Sequence, residues 1–179
     1  MKFSSKSLLT ALTAVTLMIT AAALPPRALA ANSRSVAAQW GLEVDTVALG
    51  DVHIAPEFRI AIYENLLQEL TKTKQSRQVL RSGDRNADGI PDLLILKTTV
   101  ESYTEGSETR RAVTTFGGAT KLKVRSELCT RDGQIVVERE LNGNVRFFGD
   151  NLRATHNLAR NVAKAVKDSK LPEPRPSNS

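Results

Sequence analysis

Nine consecutive residues, Asp84-Arg85-Asn86-Ala87-Asp88-Gly89-Ile90-Pro91-Asp92, follow the pattern D-x-N-x-D-G-x-x-D. Hard divalent cations such as calcium take about six to eight oxygens, and a curling loop with this spacing turns alternate side chains toward one point. Asp84, Asn86 and Asp88 would supply side-chain ligands, Ile90 its carbonyl, and Asp92 an oxygen directly or through water, while Gly89 allows the sharp turn. The implied cofactor is Ca2+, held weakly at extracellular levels of ~10⁻⁴–10⁻³ M. An ordinary polar turn, with Asp and Asn side chains bonded to nearby backbone, is the competing reading.

The loop departs from an EF-hand at its twelfth position, where Ile95 stands in place of the bidentate glutamate. Other candidates for chemistry are sparse. His53 and His156 are the two histidines and fall in different elements, so neither builds a triad; His53 beside Asp51 is the nearest approach to an oriented general base. Glu101, Glu105 and Glu108 read as a polar connection between strands. No Gly-rich phosphate loop, H-E-x-x-H or G-x-S-x-G occurs. These observations assign no catalytic residue. Cys129 is the single cysteine, so no intramolecular disulfide forms; it reads as a shielded strand residue.

The elements that would position these groups follow from periodicity. Val44 to Ile54 reads as a first strand. Pro56 opens a helix in which Phe58, Ile62, Leu66 and Leu70 recur every four residues, with Ile60, Ala61, Tyr63 and Leu67 widening the stripe. Arg77 to Leu80 is a short strand and Leu93 to Val100 a stronger one. From Ala112 the chain reads as an antiparallel meander with turns at Gly117-Gly118 and Asp132-Gly133. Thr120, Leu122, Val124, Ser126 and Leu128 alternate with Lys121, Lys123, Arg125 and Glu127, as in a strand with one wet face. Charge pairing favours a four-residue loop from Thr130 to Gly133, setting Arg125 against Glu138 and Lys123 against Glu140. A two-residue turn would instead oppose Glu127 and Glu138. Asp150 is the expected N-cap of a last helix with Leu152, Ala159, Val162 and Val166 inward. The fold class is thus α+β: a largely antiparallel sheet of about five strands, two helices on one face, order βαββββα.

The amino-terminal segment is an address. Lys2 and Lys6 precede an apolar run from Leu8 to Leu24, Pro25-Pro26 break it, and Ala28-Leu29-Ala30 suits signal peptidase, so cleavage is expected between Ala30 and Ala31. The organisation read from this is a signal peptide at 1–30, a polar leader at 31–43, one domain at 44–168, and a Pro-rich disordered tail at 169–179. Cleavage removes three cations and lowers the formal charge from +6 to +3, too mild and too mixed for nucleic-acid binding. Ala31 stands where a lipoprotein carries its lipidated cysteine. A soluble periplasmic or secreted protein without a stable membrane span is expected.

The run Gly106 to Arg111, then Phe116-Gly117-Gly118-Ala119 leading into Lys121-Leu122-Lys123-Val124, then Asp132-Gly133-Gln134-Ile135-Val136, resembles the bacterial envelope family catalogued as domain of unknown function 4410. That family ends in an Ala-rich helix, similar here to Ala154 to Val166, and its resemblance implies no catalytic residue. The element order also looks like the small domains of periplasmic assembly proteins, including the curli-secretion lipoprotein and the amino-terminal domain of the Tol translocation protein. The 84–92 loop, with Leu93-Leu94-Ile95-Leu96 after it, resembles the calcium loops of integrin-type propeller repeats, though it occurs once. Together these imply an exported, non-enzymatic domain that binds an envelope protein partner. The alternatives are a calcium-stabilised structural module, and a hydrolase using Asp or His residues near the loop.

Overall fold

Phe58, Ile62, Leu66 and Leu70 lie on one stripe of a helix, α1 (Pro56–Thr73), and all four are buried, as is Leu67. Pro56 suits the first turn, where its missing N–H is not needed, and Glu57 and Lys72 complement the helix dipole. Ile60 is 59% exposed, so the stripe is narrower than expected on that side. A computed structural model describes residues 40–113, 118–145, 150–171 and 173–174. The expected leader peptide, Ala30, Ala31 and Gly117 lie outside these residues.

The strands are β1 (Gly41–Val44), β2 (Ala48–Leu49), β3 (Gln78–Arg81), β4 (Leu93–Thr104), β5 (Thr120–Thr130) and β6 (Ile135–Val145). A six-residue helix, α2 (Glu108–Val113), follows β4, and α3 (Arg153–Asp168) closes the domain. The sheet runs β3-β1-β4-β5-β6, with β2 paired to the far end of β4. The fold is α+β, but the sheet is mixed, with six strands: β1 is parallel to both β3 and β4, whereas β4, β5 and β6 form an antiparallel meander. The strand expected from Val44 to Ile54 is not found as such: β1 ends at Val44, lying mostly in the expected leader, and within the span only the two residues of β2 are added. β1 and β2 are separated where Asp45 accepts the Thr46 N–H at 2.7 Å and turns the chain.

The mixed sheet has a topological consequence. β1 lies between β3 and β4, so the first crossover, through α1, moves one way along the sheet and the second, through residues 82–92, moves back across β1. Right-handed crossovers in opposite directions fall on opposite faces. Accordingly Leu80, Ala87 and Leu93, joined by Ile90 and Ile95, form a small second core, while α1 and α3 cover the main core of Leu42, Val44, Leu94, Leu96, Val100, Leu122, Val124 and Leu128. The parallel half is therefore buried on both faces, as parallel strands usually are.

In β5 the expected alternation holds: Thr120, Leu122, Val124, Ser126 and Leu128 are buried and Lys121 and Arg125 exposed. The expected hairpin register does not. Glu127 opposes Glu138, Arg125 opposes Glu140 and Lys123 opposes Asn142. A bulge between Leu128 and Cys129 leaves Val136 as the extra residue and changes the count that the charges suggested. The last helix also differs in part. Leu152 is 46% exposed, and the inward set is Ala154, Thr155, Leu158, Ala159, Val162, Ala163 and Val166. Asp150 accepts the Arg153 N–H at 2.9 Å, capping the turn that leads into α3. Along the sheet edge, Asn161 and Asn157 of α3 donate to the Asn142 and Asn144 carbonyls of β6 at 2.7 and 2.9 Å.

Candidate functional site

The 84–92 loop is the strap that crosses β1, and its geometry is that of a tight turn. Asp84 Oδ1 accepts both the Asn86 N–H and the Asn86 side-chain amide at 2.9 Å, opening a 3-10 turn over Arg85–Gly89. Ala87 points into the second core. Ile90 packs on Gly41, where a Cβ would stand 2.8 Å from Ile90 Cγ2, so the strap needs glycine beneath it. The Asp92 carbonyl accepts the Gly41 N–H at 2.9 Å, and the Asp92 side chain is buried with contacts of its own. Glu43 accepts the Gly83 N–H and Asp45 the Ser82 hydroxyl, both at 3.1 Å, holding the strap's other end.

Among the described residues no three His, Cys, Asp or Glu side chains gather as metal ligands, so Asp84, Asp88 and Asp92 do not form a carboxylate cage. The Ile90 carbonyl, assigned above to the cation, accepts instead from Arg131 Nη2 at 3.3 Å, and the same nitrogen donates to the Ala87 carbonyl. Two backbone oxygens of the loop, one of them assigned above to the cation, are thus engaged by Arg131.

The antiparallel half carries a different arrangement on the face away from the helices. Glu101 of β4 accepts from Arg125 at 2.8 Å and lies 3.3 Å from Lys123 Nζ. Lys123 also reaches Glu140 at 3.0 Å and Arg125 reaches Glu138 at 3.8 Å. The pairs expected from charge therefore exist, but they run diagonally between strands, because long side chains span the two-residue offset between the expected and the observed register. Desolvation pushes the Glu101 carboxyl up, yet hydrogen bonds and charge from Arg125 and Lys123 together outweigh it and hold the group below its ordinary value. Hydrogen bonding to Glu140 and Glu101 raises Lys123, and hydrogen bonding to Glu101 raises Arg125. Lys97 and Glu127 oppose each other on the same face. This three-strand ladder was not visible in the sequence as a unit. Glu101 read as part of a connection because β4 runs four residues further than the apolar stretch that marked it.

The remaining candidates are dispersed. His53 is exposed between β2 and α1, and His156 lies 3.9 Å from Glu69 on the α1–α3 surface. Cys129 is buried, as expected, and desolvation pushes its thiol up. Thr98 and Ser126 face each other across β4 and β5, buried, and their hydroxyl oxygens have no hydrogen-bond partner among the described residues. The open groove between β6 and α3 is lined by Asn142, Asn144, Asn157, Arg160, Asn161 and Lys164, a surface of amides and cations that neither histidine reaches. No helix among the described residues is long and apolar enough to cross a membrane.

No family model matches the chain, and no curated protein matches it. Solved structures do. A PelC dodecamer from Paraburkholderia phytofirmans is similar over 75% of this chain and 91% of its own, at 13% identity and a TM-score of 0.57. A point variant of PelC from the same organism, also a dodecamer, is similar over 73% of this chain and 88% of its own, at 14% identity and a TM-score of 0.54. At such identity the property shared with PelC is the fold.

Proposed function

We propose that the chain is an exported envelope protein that acts by contact with other proteins, copies of itself among them, rather than by catalysis. The observation that carries this reading is the outer face of β4, β5 and β6. Helices cover the other face and the strap covers the parallel half, but here Lys121, Arg125, Glu138 and Glu140 stand exposed in a charged array of both signs. Such a surface favours a partner of matching pattern and disfavours others, because like charges brought together across an interface are costly. PelC, which shares the fold, is solved as a dodecamer, and this supports assembly as the mode of action. The Lys2 to Ala30 segment and the resemblance of residues 106–136 to an envelope family support export.

Two measurements test the reading. Intact mass of the product recovered from bacterial envelope fractions is expected to begin at Ala31; retention of Met1, or recovery from the cytosol, would remove the export half. Light scattering of the purified chain, with cross-linking in cells, is expected to show an assembly that the charge reversal Arg125→Glu weakens about tenfold or more. A chain that stays monomeric and gives no cross-linked neighbour would sink the contact half.

A further inference from the structure

We infer that the Arg131 guanidinium is the cation of the 84–92 strap, doing by hydrogen bonds what the D-x-N-x-D-G pattern leads one to expect of a calcium ion. The argument rests on where each oxygen is directed. The Ile90 carbonyl, the one backbone oxygen the calcium pattern assigns, accepts from Arg131. The Ala87 carbonyl accepts from the same nitrogen and from the Ile90 N–H at 3.1 Å. These two carbonyls lie at the carboxyl end of the 3-10 turn, where unpaired acceptors collect and positive charge is favourable. Asp84 is occupied within the turn by Asn86, and Asp84, Asp88 and Asp92 are too dispersed to act together.

Arg131 sits in the β5–β6 hairpin, which the sheet order separates from β1 by β4. Its two bonds tie the tip of the antiparallel meander to the strap over the parallel strands. A guanidinium suits this task, because one terminal nitrogen carries two N–H donors and addresses both neighbouring carbonyls. The strap is thereby closed without any dependence on divalent cations.

Hydrogen exchange of the purified full chain tests this, read at the amides of residues 84–92 in millimolar calcium and in chelator, for wild type, Arg131→Ala and Arg131→Lys. Wild type is expected to exchange identically in both buffers. Arg131→Ala is expected to speed exchange in this segment about tenfold or more while the α1 and α3 amides keep their protection. Arg131→Lys, which keeps the charge but moves the donor nitrogen, is expected to give a smaller rise confined to the same segment, and it serves as the readout if the alanine variant does not fold. Calcium-dependent protection of the wild type, or strap exchange unchanged in both variants, overturns the inference.

Discussion

Gly143 of β6 lies directly under the backbone of α3. A Cβ there would stand 2.2 Å from the Ala154 carbonyl oxygen and 2.8 Å from the Leu158 nitrogen, both backbone atoms of the helix. Neither can move aside without displacing α3. Gly143→Ala should therefore destabilise the domain by about 1–3 kcal/mol, the range for overpacking, measured by urea unfolding. Lys74 is the opposite case. It ends α1 in the left-handed conformation with φ 53°, a geometry that costs a side-chain-bearing residue free energy and glycine almost none. Lys74→Gly should stabilise the chain by about 0.5–1 kcal/mol and raise its melting temperature. A glycine in that place would also have marked the helix end in the sequence.

Among the elements, the ladder on β4, β5 and β6 makes stability depend on acid. Glu101 has its pKa lowered in the folded state, so it contributes stability that is present above its unfolded value, about 4.3, and lost as pH falls through the folded value. Melting temperatures followed downward from neutral pH should fall for the wild type in this acid window and fall less for Glu101→Gln; parallel curves would show that the carboxylate contributes nothing. The elements also differ in how plainly the chain encodes them. The spacing of Phe58, Ile62, Leu66 and Leu70 and the alternation from Thr120 to Leu128 translate directly into buried faces. The β5–β6 register did not, because long side chains reach diagonal partners as well as direct ones, so charge pairing does not fix it, and the bulge at Cys129 shifts the count by a further residue. β1 was hidden for another reason: Gly41, Leu42 and Val44 are all buried, between the strap and the helices, so no alternation marks the strand. The six residues of α2 are too few for a helical period to declare itself.

At the scale of the molecule, the position of the oxygen-rich loop was legible in the sequence. Its residues announced a sharp turn between two strands, and a sharp turn is what Asp84 and Asn86 make. What the sequence could not convey is that Arg131, more than forty residues away, completes it. The parallel half is thus enclosed on both sides and the antiparallel half on one, which leaves a partner a single broad sheet surface on which to settle. The amides of Asn157 and Asn161 add a rule about direction. By occupying backbone acceptors along the outermost strand, they stand where a further strand would have to bind, and so they stop the sheet from continuing into a neighbour there. At that end of the border there is no seam left to sew.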